Sequence, residues 1–218
     1  MAMRLQKELD KLKKQILYLG AIVEDHVDMA IKSVEKKDAA LARQVIKADL
    51  EVDEIEVEIE EECLKLLALH QPVAEDLRFI IAVIKINHDL ERIGDEAVNI
   101  AERMVYISTR APVPVSFDYK LMSEKTRAML NSSLDALVNM DEDLAQKVRL
   151  KDDEVDQINR EIYDHIKQAI LKNPDKGGYL INLFSIARNL ERIADHATNI
   201  AEEVIYLVEG VIQRHKRK

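Results

Sequence analysis

The chain has 218 residues, a net charge of −9, five glycines, four prolines, no tryptophan and one cysteine. That charge argues against a nucleic-acid partner, whose phosphates call for clustered Lys and Arg. The lone Cys63 excludes an internal disulfide or a thiolate metal site within one chain. So few breakers leave few turns, no stretch alternates apolar and polar residues over strand length, and no apolar run nears twenty residues. The expectation is an all-α protein with long helices, no membrane span and no signal peptide, placed in the cytosol.

Apolar residues at steps of three and four predict a first helix from about Arg4 to Lys36, through Leu5, Leu9, Leu12, Ile16, Leu19, Val23 and Val27. Asp38 is the expected N-cap of a second helix, which runs to about Leu69 through Leu41, Val45, Val52, Ile55, Ile59 and Leu66. His70-Gln71-Pro72 ends it. A third helix follows from about Ala74 to Ile107, and Ser108 to Asp118, with Pro112 and Pro114, reads as a linker.

After the linker the pattern begins again. Asp38, Leu41, Val45, Asp49, Val52, Asp53, Ile55 and Ile59 recur 103 residues later as Asp141, Leu144, Val148, Asp152, Val155, Asp156, Ile158 and Ile162. Leu90 to Glu102 (LERIGDEAVNIAE) recurs 100 residues later as Leu190 to Glu202 (LERIADHATNIAE), identical at ten of thirteen positions. The changed offset places a shortened turn at Asn173-Pro174-Asp175-Lys176-Gly177-Gly178. A repeat of this length, built of three helices with short connections, predicts two tandem antiparallel three-helix bundles, over residues 1–110 and 119–218, joined by residues 111–118.

Each recurring stretch carries a Glu and an Asp four apart, on one face of a helix. The hairpin closing at Pro72 brings Asp53 level with Glu91 and Asp49 level with Asp95, so four carboxylates face one another. Asp152, Asp156, Glu191 and Asp195 repeat the set. Four carboxylates in one place repel unless something neutralises them, and hard cations are the oxygen-seeking answer. For Asp49 and Asp53 taken alone, a solvated acidic face is the better explanation. Glu91 and Asp95 resist that explanation, because they lie on the row Leu77, Ile81, Ile84, His88, Glu91, Asp95, Val98 with apolar residues on either side. Asn99, Asn199, Glu102 and Glu202 follow one and two turns later, as ligands, hydrogen bonders behind the ligands, or polar surface. Glu24 and Asp28 of the first helix fall at the same height, but the second half offers only Asn131 there. Arg92 and Arg192 read as salt-bridge partners, and the histidines as core or surface residues. The basic end, Arg214 to Lys218, reads as a solvated tail. No Gly-rich phosphate loop, nucleophile elbow or Glu-x-x-His pair is present.

The doubled Leu-Glu-Arg-Ile-(Gly/Ala)-Asp-x-Ala-x-Asn-Ile-Ala-Glu signature, in tandem three-helix halves from Leu5 to Leu207, closely resembles the PhoU family of phosphate-signalling proteins. Asp76-Leu77-Arg78 fits that family too; the second half departs there, with Gly178-Tyr179-Leu180. The resemblance implies multinuclear metal clusters held by Glu91, Asp95, Glu191 and Asp195, with Asp49, Asp53, Asp152 and Asp156 opposite. Iron is the implied metal, with zinc, magnesium and calcium as alternatives. It further implies a cytoplasmic homodimer acting beside the membrane. Such a protein restrains the phosphate ABC transporter and helps hold a sensor histidine kinase in its phosphatase state. A carboxylate-bridged metal store or di-metal enzyme, and a purely structural bundle, are the competing readings. The missing Glu-x-x-His counts against the enzyme, and the identity of the two stretches beyond their core positions counts against the bare scaffold.

Overall fold

Two-residue corners set the helix order. Lys37 takes a left-handed φ of 53° and Asp38 then turns extended, its carboxylate accepting from the amides of Ala40 at 2.9 Å and Leu41 at 3.0 Å. Met140 (φ 52°) and Asp141 repeat the corner in the second half, where Asp141 accepts from the amide of Leu144 at 2.9 Å. Such caps satisfy amide donors that a helix start leaves unpaired. Gln71, left-handed at φ 44°, ends the helix before Pro72.

The computed structural model describes residues 2–113 and 119–211. They form α1 (Ala2–Lys36), α2 (Ala39–His70), α3 (Ala74–Ser108), α4 (Tyr119–Asn139), α5 (Glu142–Lys172) and α6 (Gly177–Glu209), with a 3-10 turn at Pro174–Lys176 and no strand among the described residues. Residues 114–118 of the expected linker and the basic run Arg214–Lys218 lie outside them. One detail differs from the sequence reading. Gly177 and Gly178, expected in the turn, open α6 instead; Gly177 has ordinary helical angles, and a helix start tolerates glycine.

α3 packs on α1 and α2, α6 packs on α4 and α5, and α3 lies against α6 in the most extensive helix pairing of the molecule. The buried apolar residues of the two halves therefore form one continuous cluster, from Leu12, Ile16, Ile59 and Ile93 through to Ile162, Leu180 and Ile193. Each such side chain contributes about 1.5–3 kcal/mol by leaving water. Cys63 belongs to this cluster, and burial pushes its thiol up to about 12, so it is packing rather than chemistry. Among the described residues no helix is long and apolar enough to cross a membrane.

Candidate metal centre

The first carboxylate group is built where α2 and α3 touch. Val52 and Ile59 on α2 and Ile93 on α3 are fully buried. Their burial holds Asp49 half-buried beside them and leaves Asp53 exposed at the rim. The register is pinned by Asn87, whose Nδ2 donates to the Glu56 carbonyl at 2.9 Å and to Glu56 Oε1 at 3.1 Å. At Gly94 the two helices come so close that a Cβ there would meet Val52 Cγ1 at 3.3 Å and Asp49 Oδ1 at 3.6 Å. Asp49 thus stands level with Gly94 and Asp95, the one of the two expected pairings that these contacts place.

Electrostatics ties the carboxylates into groups. Asp49 is pushed up to about 6, first by desolvation and then by Asp53 and Asp95. Glu91 is raised by desolvation and by Asp95, with Arg92 and His88 opposing. In the second half Asp195 is pushed up to about 7 by desolvation, then by Glu191, Asp152 and Asp156. The Asp195 residue as a whole stays exposed, so its three acidic neighbours are the firmer cause of that direction. Glu191 is raised by desolvation and by Asp156. The eight carboxylates singled out in the sequence are therefore linked by charge into two sets of four.

The donor set suits a hard cation. It is all oxygen, Asp49, Glu91, Glu191 and Asp195 are all raised from their ordinary values, and Glu91 Oε2 is buried with no hydrogen-bond partner, the nearest cation being His88 Nδ1 at 3.8 Å. The side chains are not already gathered around a point: among the described residues no three His, Cys, Asp or Glu converge as ligands of one ion. Arginines hold two of the acids outward, Arg92 Nη1 on Asp95 Oδ2 at 3.0 Å and Arg160 Nη2 on Asp156 Oδ2 at 3.8 Å. Binding an ion requires those pairs to open and the carboxylates to rotate inward, which costs little on half-exposed side chains.

The residues expected behind the ligands point elsewhere. Asn99 Nδ2 donates to Glu96 Oε2 at 3.2 Å, and Asn199 Nδ2 donates across to Asp89 Oδ1 in the other half at 3.0 Å. Glu202 pairs with Arg149 at 3.4 Å, and Glu102 is exposed. Asp28 pairs with Arg127 of α4 at 2.5 Å. Three residues missed in the sequence do adjoin the clusters. Glu56 is among the charges that raise Glu91. Asn159, its counterpart 103 residues on, has a buried Oδ1 without a partner, and Thr198 donates to Asp152 Oδ1 at 3.3 Å. The available signal was position: Glu56 and Asn159 follow Asp53 and Asp156 by three residues, on the same helical face.

The PhoU domain model matches this chain twice, at residues 16–104 and 119–204. The phosphate-specific transport system accessory protein PhoU homolog of Aquifex aeolicus is 40% identical over 98% of this chain and 97% of its own length. Its counterpart in Pseudomonas putida is 36% identical over 95% of this chain and 82% of its own. The crystal structure of PhoU from Pseudomonas aeruginosa superposes with a TM-score of 0.92 at 36% identity, covering 94% of this chain and 99% of that one. That of the phosphate transport system regulatory protein PhoU from Streptococcus pneumoniae gives 0.83 at 28% identity, over 95% and 98%. With its two matched repeats and near full-length relatives, the chain belongs to the PhoU family.

Proposed function

We propose that this protein is a non-enzymatic regulator of phosphate uptake and phosphate signalling, a metal-bearing helical adaptor. It restrains the phosphate ABC transporter and acts on the phosphate-responsive sensor histidine kinase, as a cytoplasmic homodimer brought to the inner membrane by its partners. The observation that carries the reading is the pair of four-carboxylate clusters, at matching places in a duplicated fold, within a family whose relatives are named as accessory proteins of phosphate transport.

Glu91, Asp95, Asp49 and Asp53 would hold one metal cluster and Glu191, Asp195, Asp152 and Asp156 the other. Iron is the first candidate, with zinc, magnesium and calcium after it. A bound cation supplies charge neutralisation and cross-links α2 to α3 and α5 to α6. Nothing in either cluster offers a nucleophile with a base, which favours an adaptor over an enzyme.

The test is elemental analysis of protein purified without a metal-affinity tag, beside a variant carrying Glu91→Ala, Asp95→Ala, Glu191→Ala and Asp195→Ala. Two or more metal equivalents per chain, lost in the variant, are expected. Equal metal content in both proteins overturns the assignment. Absence of metal from both leaves an adaptor whose acids serve its partners directly.

A further inference from the structure

The pairing of α3 with α6 is antiparallel, and its polar contacts run in one consistent register. Lys85 Nζ reaches Glu203 at 3.0 Å, His196 Nδ1 and Asn199 Nδ2 reach Asp89 Oδ1 at 2.8 and 3.0 Å, and Arg192 Nη1 reaches Glu96 Oε1 at 2.9 Å. All three acids are buried, with 1% of Glu96, 2% of Glu203 and 6% of Asp89 exposed. Buried carboxylates are costly unless matched, so these contacts select which surface lies opposite.

The two helices are copies at an offset of 100, so each contact has a counterpart on the other side of the pseudo-twofold axis. The counterparts have diverged. Asp89 is matched by Asn189, Glu96 by His196, Lys85 by Ser185 and Glu203 by Arg103. Placing α3 against a second α3 in the same register keeps an arginine, Arg92, opposite Glu96 but sets Asp89 against Glu96 and Lys85 against Arg103. Placing α6 against a second α6 sets Arg192 against His196 and leaves Glu203 opposite Ser185. Only unlike halves satisfy all of the buried charges together.

We propose that this seam is a heterotypic recognition surface: the first half accepts the second half by charge and rejects a copy of itself. The divergence of the repeat at positions 85/185, 89/189, 96/196 and 103/203 is what encodes the choice.

Full-length, metal-stripped variants test this by thermal unfolding. Asn189→Asp with His196→Glu gives the second half the first half's residues and recreates the like-on-like pairing inside the chain; the midpoint should fall by on the order of 10 °C. Asp89→Asn with His196→Glu keeps the pairing complementary, since by the symmetry of the repeat Arg92, on leaving Asp95, can meet the new carboxylate at position 196 as Arg192 meets Glu96, and should lie within a few degrees of the parent. At the far end of the seam, away from both carboxylate clusters, Glu203→Arg sets like charges together and should lower the midpoint, while Lys85→Glu added to it restores a reversed ion pair. Recovery in both complementary doubles supports the proposal. Additive losses in the doubles, or no loss in the like-on-like variant, overturn it. Should the like-on-like variant not accumulate, the Lys85 and Glu203 set decides alone.

Discussion

The two carboxylate clusters carry the same four inherited carboxylates and yet sit in different surroundings. In the first half Arg92 bends back onto Asp95, and Glu56 of α2, held by Asn87 of α3, adds its charge to that of Glu91. In the second half Arg192 leaves its own cluster for Glu96 across the seam, Asn159 and Ala187 replace Glu56 and Asn87, and Thr198 takes up Asp152. The acid most out of its ordinary range accordingly shifts from Asp49, at about 6, to Asp195, at about 7. Duplication copies the carboxylates; packing between the copies decides how tightly each cluster holds its protons.

The largest test asks whether the halves are separable at all. Ile93 and Ile193 occupy the same repeat position, and both are fully buried in the shared cluster. Ile93→Ala and Ile193→Ala should each cost about 2–5 kcal/mol. Because the cores are continuous, either substitution should move one common unfolding transition in guanidinium. Two transitions, with only one displaced by each substitution, would break the picture of a joined core.

Next comes proton competition at the metal. Glu91→Ala with Asp95→Ala leaves the second cluster, and Glu191→Ala with Asp195→Ala leaves the first. A cation must displace the proton on Asp195 below pH 7, but the one on Asp49 only below pH 6. Titrations at pH 5.5, 6.5 and 7.5 should therefore show the second cluster still gaining affinity, by up to about tenfold per pH unit, over a range where the first has levelled off. Parallel curves would mean that the two clusters do not differ in proton affinity.

The same shift predicts a smaller effect on metal-free stability. The pKa of Asp195 stands at about 7 in the folded chain against an ordinary value of 3.8. Between those pH values the folded state holds a proton that the unfolded state has lost, so stability falls as pH rises and the full penalty applies above 7. Asp195→Asn should stabilise the metal-free protein at pH 8 by roughly 1 kcal/mol, the shift being discounted because the residue is largely exposed, and should do nothing near pH 3.5. A gain that persists unchanged at low pH would trace to packing instead of charge.

Much of this was legible in the chain before folding. The period of the apolar residues gave α1, α2 and α3 to within a few residues, and the Asp38 corner announced its twin at Asp141. The acid rows were legible because helix spacing alone puts residues i and i+4 on one face and a hairpin aligns two such faces. The seam was not. Asn99 and Asn199 sit one turn beyond the acids and read naturally as their supports. Only the approach of α3 to α6 turns Asn199 to Asp89 and Arg192 to Glu96. No local rule of sequence specifies which helix of a distant repeat lies opposite. Glu56 was passed over for a similar reason: in so acidic a helix, its nearness to Glu91 depends on the register that Asn87 enforces.

The smallest test concerns the one signature position at which the copies differ by a single methyl group, Gly94 against Ala194. Gly94→Ala removes backbone freedom from the unfolded chain and should stabilise by about 0.5–1 kcal/mol on that ground alone. Against this, the new Cβ would stand 3.3 Å from Val52 Cγ1, so α2 must yield by a few tenths of an ångström just where Asp49 lies. The two effects should nearly cancel in guanidinium unfolding, leaving a change within about 0.5 kcal/mol, while the Val52 methyl resonances shift. A loss above about 2 kcal/mol would mean that α2 cannot retreat. The glycine would then be what fixes the spacing of the first cluster, and the methyl group at position 194 would mark a wider gap in the second.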